Sequence, residues 1–165
     1  MANEPIPAER RIDGMTGEVW RDGAFQADIV EITGTVRVER KEVPIPGSRS
    51  THYKRGRVSR EGSFRYQKVD DAREIEFLSL IKSMAQMRAE RDAAIASGNP
   101  LPTSTFSMLI SLDDPEAWGK SSLLLKGVTM WELPVGFNIN DLVEREIPIT
   151  WEDEEPISTI VRPQN

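Results

Sequence analysis

The chain has 165 residues, no cysteine, one histidine and a formal net charge of −6, from 21 Lys and Arg against 27 Asp and Glu. This length fits one domain with a real core, and the lack of cysteine excludes disulfide scaffolds, thiolate nucleophiles and Cys-based metal sites. No stretch approaches the roughly 18 apolar residues of a membrane span, and Met1 to Pro7 lacks the pattern of a secretory signal, so we expect a protein made in the cytoplasm.

The N-terminal part of the chain predicts short strands after a lead-in. Residues 1–13 are polar and contain proline, and we expect them to be flexible. Asp22-Gly23 between two apolar stretches is a hairpin signal, because both residues tolerate the positive φ of a tight turn. Further on, Val36 and Val38 alternate with charged residues, as in a strand that has one solvated face.

A polar segment at 43–56 interrupts the strand pattern. It contains two prolines, two glycines and three small hydroxyl residues, a composition typical of a long loop or of the tip of an extended hairpin. Connections of this length in compact domains are usually functional or disordered. A strand is predicted to resume from Val58 to Val69, with Phe64 and Tyr66 on one face.

One helix is predicted after this strand, over residues 71–97. Asp71 and Glu74 form a pattern like a capping box at its start, and Gly98 is a natural residue for its end. Apolar residues recur every three to four positions. We therefore expect the helix to lie across the sheet on the outside of the molecule, with one stripe facing inward: Ile75, Leu78 and Ile81.

Alternating residues predict three more strands in the C-terminal part. They cover 106–112, then 121–132 with a bend at Gly127, and finally 137–151. Pro148 in the last strand has no N–H to donate, so we expect its nitrogen to face a sheet edge or a bulge.

Taken together, the predicted elements indicate a mainly β (α+β) fold. Six to seven antiparallel strands with one inserted helix favour a sandwich or barrel that spans residues 14–156. Residues 157–165 contain proline and are expected to form a loose C-terminal tail.

The charge is distributed unevenly along the chain. Residues 35–68 hold ten basic and three acidic residues, whereas 132–165 hold two basic and eight acidic ones. Such asymmetry usually indicates a partner surface or a tail. Nucleic acid is one partner for the basic block, and the acidic block of a second copy of the same chain is another.

Residues that carry chemistry are scarce, so we expect no enzyme activity, cofactor or metal. His52 lies alone in the polar segment, which leaves no metal cluster and no catalytic triad with a nucleophile elbow. The run Gly119-Lys120-Ser121-Ser122 resembles the end of a phosphate loop, but Asp114 stands where that motif needs glycine. Paired carboxylates for hydrolysis stay open, although the acidic run at 152–155 is more simply a solvated strand end.

Three stretches in their order resemble the tail tube (core tail) proteins of contractile phages and tailocins, the PBSX-type family. They are Gly56 to Tyr66 after the polar segment, the residues Gly-Lys-Ser-Ser-Leu-Leu-Leu-Lys-Gly-Val at 119–128, and the C-terminal stretch 144–153. The last stretch, Glu-Arg-Glu-Ile-Pro-Ile-Thr-Trp-Glu-Asp, matches the acidic strand that closes the chain in that family. The resemblance covers roughly residues 14–156.

The resemblance implies a structural virion protein with a tail-tube-like β-sandwich, related to the tube of type VI secretion systems. In that family, hexameric rings stack into a tube whose inner sheet lines a channel. A contractile sheath surrounds the tube, and baseplate and terminator proteins close its ends. The tube delivers DNA or punctures a membrane. The expected location is the virion, with assembly in the host cytoplasm.

The resemblance also implies where copies of the chain touch. The segment 43–56 is expected to reach along the tube axis to the next ring, and the end of the chain to offer an acidic surface. The expected contact residues are Val43, Pro44, Ile45, Pro46, Arg49, Tyr53, Lys54, Arg55, Glu152, Asp153 and Glu154. Ile147, Ile149 and Trp151 are expected to pack in the interior.

A second interpretation is a nucleic-acid-binding β-barrel module. The basic residues of segment 49–60, together with Tyr53, would then contact a phosphate backbone. A salt-sensitive complex with the free monomer would distinguish this interpretation from self-assembly.

Overall fold

The computed structural model describes residues 14–47, 49–136 and 142–159, so the predicted lead-in at 1–13 lies outside the described residues. After a short 3₁₀ turn at Gly14–Thr16, the described chain forms eight strands and two α-helices. The strands are β1 Gly17–Arg21, β2 Ala24–Phe25, β3 Ile29–Val43, β4 His52–Gln67, β5 Phe106–Leu112, β6 Ser121–Met130, β7 Glu144–Thr150 and β8 Asp153–Ser158. The helices are α1 Ala72–Leu80 and α2 Met84–Ser97.

The strands form one antiparallel sheet in the order β2-β1-β5-β6-β7-β4-β3, and β8 pairs with β6. Strand β6 joins two halves of this sheet, because Ser122 to Lys126 pair with β8 whereas Thr129 and Met130 pair with β7. Residues of both halves belong to one buried cluster. The sheet therefore folds over on itself around a single core, which confirms the predicted mainly β sandwich or barrel.

The core is built from alternating residues of the central strands. Phe64, Tyr66, Ile147, Ile149 and Trp151 are buried, as the sequence predicts for the inner face of these two strands. From the other half of the sheet come Val19, Phe106, Met108, Leu125, Val128 and Met130. Burying apolar surface at about 25 cal/mol per Å² is the main stabilising contribution in such a fold.

Helix α1 closes the core through a single aromatic side chain. Phe77 is 3% exposed, and its ring lies edge-on to the rings of Phe64 and Tyr66 at centroid distances of 5.9 and 5.4 Å. Ile81 also packs against the core. The predicted inward stripe is otherwise wrong, since Ile75 is 66% and Leu78 is 56% exposed.

The predicted helix over 71–97 is two helices. Helix α1 ends at Leu80, and Ser83 caps a new helix because its Oγ accepts from the Gln86 N–H while the Gln86 side chain accepts from the Ser83 N–H. Gly98 ends α2 with φ of 67°, as predicted. Within α1, Phe77 is on the face that packs on the core, whereas Ile75 and Leu78 are exposed.

Several further boundaries differ from the sequence prediction. The strand predicted at 137–151 is β7 at Glu144–Thr150, and residues 137–141 lie outside the described residues. Regular structure is absent from only part of the connection predicted at 43–56, namely from its described residues between 44 and 51, because β4 already begins at His52. Residues 157 and 158, predicted as tail, belong to β8, which raises the strand count to eight. Strand β6 bends at Gly127, as predicted; φ there is 63°, and a Cβ would lie 2.8 Å from the Glu152 side chain.

Candidate assembly surface

The most conspicuous feature of the molecule is a β-hairpin arm, residues 36–60, that extends beyond the body. Strand β4 pairs with β7 only from Glu61 to Gln67, so its residues from His52 to Arg60 pair with β3 alone. At about 3.3 Å per residue, the eight residues from Val36 to Val43 span roughly 25 Å. The arm is thus a two-stranded ribbon, and the described residues of its tip are 44–47 and 49–51.

Both faces of the arm are open to solvent. Its inner face continues the core-facing side of the hairpin and carries Val36, Val38, Val58 and Tyr53, all of them exposed. An isolated two-stranded ribbon is marginally stable in water. A projecting ribbon with exposed apolar side chains is therefore suited to contact with another molecule.

The arm and the rest of the chain carry opposite charge. Eight Lys and Arg and two Asp and Glu lie within 36–60, which gives +6. The rest of the chain holds 13 and 25, which gives −12, so the two sum to the −6 of the whole chain. Opposite charges on two surfaces of one protein favour contact between copies and set their orientation.

A bulge separates the inner and outer parts of the arm. The register shifts between the pairs Val38–Val58 and Arg40–Arg55, so that two residues of β4 oppose Glu39. The backbone N–H of Arg57 donates to the Glu39 carboxylate at 3.4 Å, and a Cβ at Gly56 would lie 2.9 Å from the same carboxylate. Such bulges increase the local twist and redirect the strand.

The base of the arm is fixed to β8 by an ion pair. The Arg60 Nε donates to Glu154 Oε2 at 2.5 Å, and the Arg60 guanidinium lies 3.9 Å from Asp153. The indole N–H of Trp151 donates to the same Glu154 oxygen at 3.1 Å. Glu154, predicted as a contact for a neighbour, is therefore engaged within its own subunit, whereas Glu152 and Asp153 are exposed.

The predicted contact residues fall into two groups at opposite ends of the arm. Glu152 to Glu154 lie at its base, since Glu154 binds Arg60. The others occupy the tip and the adjoining strand ends: Val43, Pro44, Ile45, Pro46, Arg49, Tyr53, Lys54 and Arg55. The structure therefore does not bring the basic and acidic groups together within one copy. Arg60 was predicted only as part of the basic segment 49–60 and not as a subunit contact; in the structure it binds Glu154 of its own subunit.

A second candidate surface is the outer face of β3, β4 and β7. Polar side chains cover it in cross-strand rows: Arg65 binds Glu31 at 2.9 Å, and the Ser63 hydroxyl donates to Glu146 at 2.7 Å. Glu61 and Glu144 lie on the same face by strand alternation. Four carboxylates and few cations give this face a negative potential.

An ionic network attaches helix α1 to the body, and its charged residues have a structural role rather than a catalytic one. The Glu74 carboxylate accepts from Lys68 at 2.9 Å and from Arg145 at 3.0 Å. The hydrogen bond from Lys68, ahead of that from Arg145, lowers the pKa of Glu74, and the same lysine lowers the pKa of Asp71. These carboxylates are therefore ionised, whereas a general acid at neutral pH needs a raised pKa.

A groove of about 440 Å³ lies beside α2. Its only carboxylate is Glu90, which is paired with Lys82 at 2.7 Å. Across the described ranges, no group of three or more His, Asp or Glu residues is placed to hold a metal ion. Neither described helix is long and apolar enough to cross a membrane.

Comparison with known proteins identifies the family of the chain. A model of the phage tail tube protein family matches residues 4–158, nearly the whole chain. The chain belongs to the phage tail tube protein family. Its role is therefore structural, as a component of a tail tube, and the resemblance seen in the sequence is confirmed. Nothing in the comparisons supports the nucleic-acid-binding module.

Solved structures of contractile systems share the fold of this tail tube protein. The sheath/tube terminator of an extracellular contractile injection system (PVC) superposes with a TM-score of 0.61 at 13% identity, over 96% of this chain and 100% of that one. The tube terminating cap of the anti-feeding prophage gives 0.62 at 11% identity, over 96% and 95%. A chain of the PVC sheath-tube complex gives 0.57 at 13% identity, over 95% and 94%. No curated protein is significantly similar in sequence.

Proposed function

We propose that copies of this tail tube protein form hexameric rings that stack into the inner tube of a contractile phage tail or phage-tail-like particle. The observation that carries the proposal is the arm, a cationic ribbon of about 25 Å that projects from an acidic body. Its contacts with a neighbouring ring are the residues of the tip and strand ends, with Arg49, Tyr53, Lys54 and Arg55 as the central ones. Exposed ion pairs contribute only about 0–1 kcal/mol each, so the contact depends on repetition around the ring.

Free strand edges support closure into a ring. Among the described residues, β3 pairs on one side only, with β4, and leaves the backbone groups of its other edge unpaired. Natural proteins rarely leave a strand of 15 residues open in this way, because such an edge templates aggregation. In a ring, the neighbouring subunit covers the part of this edge that lies at the body, Ile29 to Thr35, and makes it a joint.

The acidic outer face of β3, β4 and β7 is suited to line the channel. Its carboxylates, Glu31, Glu61, Glu144 and Glu146, repel the phosphates of DNA, so a passing duplex slides rather than binds. A channel of this kind serves DNA delivery, and it serves equally a particle that punctures a membrane without DNA.

The remaining partners follow from the same role. A sheath surrounds the tube, and baseplate and terminator proteins meet its two ends. The structures with a similar fold include a chain of a sheath-tube complex and a sheath/tube terminator. The protein resides in the virion after assembly in the host cytoplasm. It catalyses no reaction, and the ionised state of its paired carboxylates supports this assignment.

Negative-stain electron microscopy of the purified protein at high concentration tests the proposal. Rings or hollow tubes are expected, and a strict monomer at every salt and protein concentration would overturn it. A shortened variant isolates the arm: Asn-Gly in place of residues 39–57 closes a two-residue hairpin between Val38 and Val58, which already face each other. This variant should fold, form rings and fail to stack.

A further inference from the structure

The outer part of the arm places like charges opposite each other on both faces. Arg40 faces Arg55 across the ladder, and the next pair, Lys41 and Lys54, lies on the opposite face. All four side chains are exposed, and none takes part in an ion pair with another described residue. Like charges directly opposite each other destabilise a strand pair, so a lone subunit carries a ribbon that repels itself.

The inner part of the same hairpin is arranged differently. There each arginine has a carboxylate of its own subunit: Arg37 lies 3.9 Å from Glu61, and Arg60 lies 2.5 Å from Glu154. Cations are therefore neutralised within the subunit where the hairpin lies close to the body. Where it projects away from the body, the four facing cations have no ion pair with a described carboxylate of the same subunit.

The missing carboxylates are available on other copies of the chain. Everything outside the arm carries a net charge of −12, against +6 on the arm. Each face of the outer arm also carries an apolar residue beside its cation pair, Tyr53 next to Arg55 on one face and Val43 next to Lys41 on the other. Each face thus presents a cation pair and an apolar residue. Among the described residues, the arm's own carboxylates, Glu42 opposite Tyr53 and Glu39 at the bulge, form no ion pair with these four cations.

We propose that the arm inserts between two further copies of the chain, with carboxylates of one copy neutralising Arg40 and Arg55 and carboxylates of the other neutralising Lys41 and Lys54. A single flat acidic surface covers only one face of a ribbon and leaves the other pair of cations unneutralised. This inference rests on the proposed stacking of rings. Each arm then ties together two subunits of the neighbouring ring as well as joining the rings.

Two single charge reversals test the two faces separately. Arg40→Glu and Lys41→Glu each convert one like-charge pair into an opposite-charge pair, which stabilises the ribbon. Each also removes the cation pair that would bind a carboxylate of a neighbouring copy. In the free subunit, amide hydrogen exchange of residues 52–57 should slow by about twofold or more. In tube formation followed by light scattering and microscopy, each variant should raise the critical concentration at least about tenfold.

The controls separate this inference from the proposed function. Arg91→Glu makes the same change of net charge on the exposed surface of α2 and should assemble like the wild type. If only one reversal impairs assembly, the arm docks on a single surface and the two-copy arrangement is wrong; if neither does, the four cations are not contacts at all. A wild-type protein that forms no tubes overturns the proposed function and this inference with it.

A polyanion such as nucleic acid is the alternative ligand for the cations of the arm, and a separate binding measurement tests it. A short DNA duplex mixed with the free wild-type subunit should show no salt-sensitive binding at physiological ionic strength. Binding that both reversals abolish, in variants that still form tubes, would identify nucleic acid as the ligand of the arm and overturn the proposal.

Discussion

The two ends of one hairpin differ although a single ladder of hydrogen bonds runs through both. Near the body, β4 places Tyr66 in the core with 1% of its surface exposed, whereas near the tip the same strand leaves Tyr53 60% exposed. The inner end also has its arginines paired with carboxylates, and the outer end opposes cation to cation. The pairing of β3 with β4 thus continues through both ends. The side-chain surroundings, together with the added pairing of β4 to β7 at the inner end, separate a part that stabilises the subunit from a part available to other copies.

The largest expected effect is loss of a core aromatic residue. Tyr66→Ala should lower the free energy of unfolding by about 3–5 kcal/mol, because it removes a ring packed against Phe64 and Phe77 and leaves a cavity. Urea unfolding followed by circular dichroism measures the change. A loss below about 1 kcal/mol would mean that the inner end of the hairpin is not the part that stabilises the folded subunit.

The next effect compares two glycines of β4. A Cβ at Gly62 would lie 2.2 Å from the Thr33 carbonyl oxygen, so Gly62→Ala forces backbone atoms apart and should cost up to about 3 kcal/mol. In the arm, a Cβ at Gly56 would lie 2.9 Å from the end of the flexible Glu39 side chain and 3.2 Å from the Glu39 carbonyl oxygen, a milder overlap. Gly56→Ala should therefore cost less than about 1 kcal/mol in the same unfolding experiment, and equal costs would contradict the comparison.

A smaller effect concerns the network that holds α1. Glu74→Gln should reduce stability at neutral pH by about 1.5 kcal/mol, since it removes the charge from two hydrogen bonds. The folded-state pKa of Glu74 is lowered, so the ionised form contributes stability above its ordinary pKa and loses it as the pH falls through the folded value. The free energies of unfolding of wild type and variant should therefore converge as the pH is lowered from neutral to acidic. A difference that stays constant with pH would mean that the variant loses packing rather than charge interactions.

The smallest expected effect on folding belongs to the arm. Tyr53→Ala should change the free energy of unfolding by no more than about 0.5 kcal/mol, because the ring is largely exposed in the free subunit. The same variant should weaken tube formation, since a projecting aromatic side chain is a typical interface anchor. Sedimentation at increasing protein concentration measures this. Wild-type assembly would exclude Tyr53 from the contact.

Burial patterns in the body could be predicted from the sequence, because one face of each strand there is covered. The alternation of apolar and polar residues in the sequence predicts that Ile147, Ile149 and Trp151 are buried, and the structure confirms this. The beginning of β4 gave no such signal. A ribbon exposed on both faces needs no apolar alternation, so the strand at His52 to Arg57 reads as loop.

The helical break at 81–83 and strand β8 were missed for different reasons. Ser83 and Gln86 do carry the S-x-x-Q signature of a capping box, but a continuous apolar and alanine-rich stretch concealed it. Strand β8 contains Pro156 and three consecutive acidic residues, which argue against a strand on propensity. It pairs with β6 at the border of the sheet, where proline and charge are tolerated.

Strand β6 gives the subunit an unusual mechanical property. Because β5 and β8 pair with its first part and β7 pairs with its end, the two halves of the sheet share one covalent chain across the bend at Gly127. A pull on the arm passes from β4 into seven residue pairs with β7, in shear, and from β7 into β6. Such a load reaches the other half of the sheet through the two residue pairs of β7 with β6 and then along the β6 backbone.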